Sequence, residues 1–429
     1  MVNVLFILAD ALRADRLHCC GNPQPTSPTI DRLAREGVLF TNVIANANHT
    51  VPGLVSAFTG LYVVSHGIGD QEAFKQWPER WQGWRTPFHV LRDAGCLIAG
   101  DDPEFYHPLG FETGGRDLHA AIDRHAGRRF FLWHRSEETH LPYNPPPPLD
   151  TAFLHAGFTV SPSLRERLEI VRRSLIVHKP GLVSRQEAGP VDAIQREGYQ
   201  RTVGIAAFDP AERPALLSLY DGCVRMLDQE IAGYVDHLSR LGILDDTLLV
   251  ITSDHGEQLL ERGAVGHSSC SLEGNLYDEN IRIPLILRCP RLLPQGRTIH
   301  RQVSQVDIMP TLLDLFDLAM PQPCDGRSLL PLVLDPEAEF PEEAYAETSP
   351  CGWQALDGDR RMIWCIRRPP WKLIRYSSPP KEDRCELFDL NADPGESKLV
   401  AEQYPDAAQG LRARLDAWLA RKQLSIRPA

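Results

Sequence analysis

Two short runs of the chain are apolar at nearly every position and close on an acid. The first is Asn3-Val-Leu-Phe-Ile-Leu-Ala-Asp10, and the second is Thr247-Leu-Leu-Val-Ile-Thr-Ser-Asp254. A continuous β-favouring run without alternation is the pattern of a strand buried on both faces of a parallel sheet. In open α/β sheets ligands bind beyond the carboxyl ends of the strands, so both aspartates are expected at one edge and in one site. Helical patterns lie between. Ser27-Pro-Thr-Ile-Asp-Arg-Leu-Ala-Arg-Glu-Gly37 offers a Ser N-cap, a Pro at the first helical position and a terminating Gly. Leu217 to Leu241 carries Leu219, Val224, Leu227, Ile231, Val235 and Leu238 at helical spacing and stops before Gly242. After Ile283 to Leu287 a further helix pattern begins near Val306. Thr151 to Pro214 shows no clear repeat and reads as an insertion, a helical cap over the site. From Pro341 onward, Met362 to Arg367, Trp371 to Arg375 and Glu386 to Leu390 alternate like short antiparallel strands, and a closing helix runs from Ala407 to Lys422. The pattern predicts a large α/β domain followed by a small α+β one. It shows no internal repeat and no low-complexity tract beyond Pro145–Pro148.

Composition narrows the class. A length of 429 residues predicts two domains, or one large domain with an appendage, and ample core without disulfides or structural metal. Lys and Arg number 45 against 57 Asp and Glu, a net charge of −12. That balance lacks the basic stripe needed for nucleic acid and disfavours anionic membranes. The 35 prolines point to many fixed loops. The start has no basic region before its apolar run, and that run is far shorter than the ~20 residues of a membrane helix. Ten cysteines, with an adjacent Cys19-Cys20 pair and no C-x-x-C, suit reduced thiols. The expected compartment is the cytoplasm.

Several residues could carry chemistry. An acid at the end of a buried strand must be paired, hydrogen-bonded or metal-bound, because an isolated buried carboxylate is very costly. Asp10 fits that reading and equally that of an N-cap for Leu12-Arg13. Asp254-His255-Gly256-Glu257 sets a carboxylate beside an imidazole, which suits a borderline transition metal, with Gly256 free to turn sharply. Standing alone, the same residues read more simply as a helix cap and a surface histidine. In Asn48-His49-Thr50-Val51-Pro52-Gly53, Thr50 precedes a helix-like run. A hydroxyl at a helix N-terminus is placed for attack, since the free N–H groups favour an alkoxide or bound oxyanion; by composition alone Thr50 is an N-cap. His140, in Glu137-Glu138-Thr139-His140-Leu141-Pro142-Tyr143, lies in a proline-fixed loop, aimed at a ligand or simply at the surface. His267, in Gly266-His267-Ser268, carries the same ambiguity.

Taken in order, these segments resemble the sulfatase family of the alkaline phosphatase superfamily. The resemblance is carried by Asn3 to Asp15, Pro25 to Asn42, Thr59 to Tyr62 with Ser65-His66-Gly67, and His140-Leu-Pro-Tyr143. Thr252 to Glu257 and Leu276-Tyr277-Asp278 with Ile281-Arg282 and Pro284 continue it. Trp371-Lys372-Leu-Ile and Glu386-Leu-Phe-Asp-Leu, with Asp393-Pro394 and Glu396, resemble the family's C-terminal subdomain. The match spans nearly the whole chain. It implies an alkaline-phosphatase-like α/β core over residues 1–340, with a mostly parallel central sheet flanked by helices and an insertion or cap at 151–214. Residues 341–429 are expected to form a small C-terminal α+β subdomain with a four-stranded sheet.

Two departures shape the expected chemistry. The family's nucleophile motif is Cys-or-Ser-x-Pro-x-Arg shortly before a Thr-Gly, and its first residue is oxidised to formylglycine. Counting back from Gly60 puts Thr50 at that position, Pro52 at the Pro and Leu54 where the Arg belongs. A threonine β-carbon carries a methyl group, so no formylglycine is expected. The family's Asp-Asp and Asp-Asn pairs make an all-oxygen Ca²⁺ set. Here the pairs are Asp10-Ala11 and Asp254-His255, which shifts preference toward Mn²⁺ or Zn²⁺. Asp10, Thr50, Asp254 and His255 resemble the one-metal set of the superfamily's phosphodiesterases, phosphonate monoester hydrolases and phosphoglycerol or phosphoethanolamine transferases, several of which use a threonine nucleophile.

The expectation is a metal-dependent hydrolase of phosphate or phosphonate esters. One divalent cation, Mn or Zn rather than Ca, would sit on Asp10, Thr50, Asp254 and His255, with Thr50 as nucleophile through a covalent phospho-enzyme. His140 and His267 would meet the equatorial or leaving oxygens, and Arg13 or His49 would add a substrate donor. Glu138 beside His140 offers, with His267, a place for a second metal. The alternatives are a sulfate ester hydrolase acting without formylglycine and a non-catalytic sulfatase-like protein that binds an anion or serves a biosynthetic partner. The partner expected is a small anionic ester, and oligomeric state stays open.

Overall fold

A computed structural model describes residues 2–69, 73–74, 84–100, 109, 112–113, 117–176, 192–196, 199–203, 208–267, 274–349, 362–377 and 383–425. One sheet of nine strands organises them. Its order is β13 (Arg297–Ile299), β2 (Val38–Ile44), β12 (Arg282–Arg288), β9 (Thr247–Ser253), β1 (Asn3–Ala9), β5 (Phe130–Ser136), β3 (Leu97–Gly100) and β4 (Glu112–Thr113), with β14 (Val303–Ser304) also paired to β2. The two apolar runs are thus neighbouring central strands. β1 lies parallel to both β9 and β5, whereas β12 runs antiparallel to its neighbours.

The unbroken apolar pattern has a direct cause: both faces of these strands are covered. Val4, Phe6 and Leu8 of β1 and Leu248 and Val250 of β9 pack against α2 (Thr50–Thr59), together with α3 (Pro87–Asp93) and α7 (Ile308–Leu315). Leu5, Ile7 and Ala9, with Leu249 and Ile251, face α1 (Pro28–Arg35), α4 (Leu118–His125) and α6 (Arg213–Arg240). Carrying the two-residue period one step past each strand puts Asp10 and Asp254 on the face that α2 covers. Ser27 stands at the N-cap position of α1, but its hydroxyl donates to Asp31 (3.0 Å) and accepts from the His18 N–H (3.0 Å) instead of capping.

The 151–214 segment differs from the expected helical cap. It contains α5 (Pro162–Arg173) and a three-stranded sheet of β6 (Ser174–Ile176), β8 (Tyr199–Val203) and β7 (Asp192–Arg196). The aromatic and β-branched residues of Tyr199-Gln-Arg-Thr-Val203 favour that state; residues 177–191, 197–198 and 204–207 lie outside the described set. Toward the C-terminus, β15 (Ala344–Thr348), β16 (Ile363–Arg368), β17 (Trp371–Tyr376) and β18 (Arg384–Asp389) form an antiparallel sheet. Helix α8 (Pro405–Ser425) covers it through Leu411, Leu415 and Trp418, and Trp418 stacks on Tyr345 with ring centroids 4.3 Å apart. This sheet is riveted to the core by buried charge. Lys372 lies between Asp278 (2.7 Å) and Glu396 (2.6 Å), and Arg367 also reaches Asp278 (2.9 Å). Among the described residues, no helix is long and apolar enough to cross a membrane.

Candidate active site

The edge where β1 and β9 end holds both expected acids. Asp10, Asp254 and His255 are buried, and one ligand atom from each lies within 4.8 Å of the others. His255 Nε2 stands 3.6 Å from Asp10 Oδ1 and 3.6 Å from Asp254 Oδ2. The Thr50 hydroxyl closes the group, 3.4 Å from His255 Nε2. Thr50 is the first residue of α2 and not its cap; the N-cap is His49, in extended backbone.

Backbone bonds set each ligand. The Nδ1–H of His255 donates to the Gly256 carbonyl (2.8 Å), which leaves Nε2 as a lone pair facing the acids. Asp254 Oδ1 accepts from the N–H groups of Ala11 (3.1 Å) and His255 (2.9 Å), so Asp254 caps no helix. Ala11 takes a φ of 62° to bring its N–H round, a left-handed conformation that costs a β-carbon-bearing residue roughly 1–2 kcal/mol. Gln305 Nε2 donates to the carbonyls of Ser253 (3.0 Å) and Asp254 (2.9 Å) and clamps the strand end. Gly256 is required by a close approach and not by a turn: a β-carbon there would meet the Glu279 carbonyl oxygen at 2.1 Å.

With these bonds made, Asp10 Oδ1 and Asp254 Oδ2 remain buried without a hydrogen-bond partner. Two carboxylate oxygens and an imidazole lone pair converge beside the Thr50 hydroxyl. That donor set fits a divalent cation. The charge states agree. Burial and the charge of Asp10 push the Asp254 carboxyl up. For Asp10 burial acts in the same sense but is outweighed by His140, Arg135 and His255, which hold it low.

Two further imidazoles complete the site. The His267 ring lies 4.3 Å from that of His255 and 5.0 Å from that of His140. His140 donates through Nδ1 to the Leu141 carbonyl (3.0 Å), and His267 through Nδ1 to Glu257 Oε1 (2.9 Å), leaving Nε2 of each for the site. Burial pushes the Glu257 carboxyl up to about 7, against the pull of His140 and His255. Burial and the neighbouring His255 push His267 well down. At His140 burial is outweighed by Asp10, Glu257 and Asp254, and its value rises.

Other expected residues stand elsewhere. The Arg13 guanidinium is engaged by Asp15 (2.8 and 2.7 Å), Glu261 (2.6 Å) and the Glu257 carbonyl (3.0 Å), which commits it to holding the loops behind the strand ends. These loops include the ribbon of β10 (Gln258–Leu259) and β11 (Val265–Gly266). His49 is buried with Nε2 3.0 Å from the Gly69 carbonyl, and burial, with His255 nearby, pushes it down to about 3. Glu138 joins no cluster of three ligands among the described residues; its half-buried carboxyl is raised by burial and by Glu230. The arginine that reaches the group is Arg135, at the end of β5, with Nη1 3.4 Å from Asp10 Oδ2. Arg135, Glu257 and Gln305 are the site residues that sequence reasoning passed over. Only Glu257 carried a signal, its place two positions after His255.

A mostly parallel sheet between helices, with an acid-and-histidine group at the carboxyl edge and a hydroxyl at a facing helix start, defines a member of the alkaline phosphatase superfamily. Within it the chain belongs to the sulfatase family, a family of ester-bond hydrolases: it matches the sulfatase model over residues 2–96 and 116–318. It also matches the C-terminal model of N-sulphoglucosamine sulphohydrolase over residues 274–423. N-acetylglucosamine-6-O-sulfatase from Bacteroides thetaiotaomicron is 22% identical over 93% of this chain and 82% of that protein. Arylsulfatase K from Gallus gallus is 28% identical over 95% of this chain and 81% of that protein. The crystal structure of phosphonate monoester hydrolase from Agrobacterium radiobacter superposes with a TM-score of 0.76 at 20% identity, over 98% of this chain and 96% of that one.

Proposed function

We propose that the protein hydrolyses small phosphate or phosphonate esters, as a phosphodiesterase or phosphonate monoester hydrolase, with Thr50 as nucleophile. The observation that carries this reading is the Thr50 hydroxyl beside a buried Asp10–Asp254–His255 group that has two partnerless carboxylate oxygens. Asp10, Asp254, His255 and the Thr50 oxygen would hold one divalent cation, with the imidazole favouring Mn²⁺ or Zn²⁺ over Ca²⁺. When bound, such a cation lowers the pKa of a neighbouring hydroxyl and offsets the charge of an anionic ester.

The chain's own residues supply the rest. The Thr50 oxygen attacks phosphorus in line; its bond to phosphorus forms as the bond to the leaving alkoxide or phenoxide breaks, and water then releases the acid. Thr50 is the first residue of α2, and the free N–H groups of a helix start favour an anionic oxygen there. His140 and His267, each with Nδ1 tied to an acceptor, present Nε2 to the nonbridging or leaving oxygens. Glu257 fixes the ring of His267.

The second reading, a sulfate ester hydrolase acting without formylglycine, is favoured by relatives that are themselves sulfatases. The two separate on one panel. Purified protein loaded with Mn²⁺ or Zn²⁺ should turn over bis-p-nitrophenyl phosphate and p-nitrophenyl phenylphosphonate faster than p-nitrophenyl sulfate. Sulfate release faster than phosphorus-ester cleavage would select the second reading.

A further inference from the structure

We infer that Arg135 selects esters carrying a second oxyanion, a carboxylate or phosphate, away from the reacting phosphorus; this rests on the phosphorus-ester reading above. Alternation along β5 packs Phe131 and Trp133 into the core beneath α2, where Trp133 meets Phe58 with ring centroids 5.3 Å apart. Arg135 follows on the same face, level with Leu8 of β1, while His134 and Ser136 turn the other way onto Glu230 (2.8 and 2.6 Å). An arginine at a core-facing position of a central strand is costly unless anions answer it.

Among the described residues two anions meet it, and they differ. Nη1 lies 3.4 Å from Oδ2 of buried Asp10, and Nη2 lies 2.5 Å from Glu137, whose side chain is 67% exposed. The Arg135 side chain is itself 23% exposed, so its guanidinium bridges the buried group to the solvent rim. The inner contact is long beside the ~2.7–2.9 Å of a charge-assisted bond. A dication on Asp10 would neutralise that carboxylate and repel the guanidinium toward the rim, where a substrate oxyanion would share its fork with exposed Glu137. The planar fork of arginine matches a carboxylate or phosphate. At the strand ends Arg13 is taken up by Asp15 and Glu261, and Leu54 stands at the family's arginine position.

The test compares p-nitrophenyl phenylphosphonate with p-nitrophenyl (4-carboxyphenyl)phosphonate, which differ by one carboxylate. Both are assayed with metal-loaded wild type, Arg135→Gln and Arg135→Lys, and metal content is measured alongside. Wild type should prefer the carboxylated ester by roughly tenfold or more in kcat/KM, the range of one charge-assisted hydrogen bond. Arg135→Gln should lose that preference, chiefly through KM, and Arg135→Lys should keep part of it. Equal wild-type rates on the two esters would overturn the assignment. So would Arg135→Gln with both rates lowered and the preference intact, because Arg135 would then serve only Asp10 and its metal. Wild type inert on both esters would instead overturn the phosphorus-ester reading beneath it.

Discussion

At Gly53 a β-carbon would lie 2.7 Å from the carbonyl oxygen of Asp254, and a backbone oxygen held by Gln305 cannot swing aside. Gly53→Ala should therefore push α2 off the strand end and cost about 1–3 kcal/mol, the usual range for overpacking, read as a lower Tm and weaker Mn²⁺ binding. The same substitution at exposed Gly410 of α8, where a β-carbon meets nothing within 4 Å, should stabilise by about 0.5–1 kcal/mol. A loss at both positions would show that helix packing around Gly53 is not special. Single residues were legible in the sequence only where their chemistry was local. Asp10 and Asp254 showed as acids closing buried strands, and His255 came with its neighbour. Arg135 meets Asp10 across 125 positions and Gln305 meets Asp254 across 51, and no pattern along the chain records such pairings.

At the scale of elements, unbroken apolar runs marked β1 and β9, and alternation marked β16, β17 and β18. Counting two residues at a time past the ends of β1 and β9 gives the face on which Asp10 and Asp254 stand. The sequence pattern gave less in the 151–214 segment, whose short strands pair with one another and carry no long apolar run for a pattern to show. Asp278, Lys372 and Glu396 stood out in the sequence as parts of separate family-like segments; the fold makes them one buried cluster that joins β17 to the core. Removing one member of such a cluster strands the others. Lys372→Met should lower the unfolding free energy by about 3–5 kcal/mol in urea. A loss below about 1 kcal/mol would mean that the cluster behaves as an exposed pair would.

For the whole molecule, a net charge of −12 describes the surface, while buried acids set the response to pH. Burial pushes Glu347 of β15 up to about 8, with Asp325 adding to the shift, and pushes Asp307 up to about 7. Each folded value lies above its unfolded one, so the folded state favours the neutral form. Their contribution is full below the unfolded values and is lost as pH rises through about 7 to about 8. Glu347→Gln, neutral at every pH, should gain in Tm over wild type between pH 5 and pH 9. A difference that does not change with pH would show that Glu347 is charged throughout. The proposed function rests on the other buried acids, Asp10 and Asp254, and on the Thr50 hydroxyl beside His255. The most direct measurement mixes metal-loaded protein with p-nitrophenyl phenylphosphonate, quenches it in acid during turnover and maps the peptides by mass. The predicted result is a phenylphosphonyl group on Thr50, with both adduct and turnover lost in Thr50→Ala. Wild-type turnover by Thr50→Ala, with no adduct on Thr50 in the wild type, would contradict it.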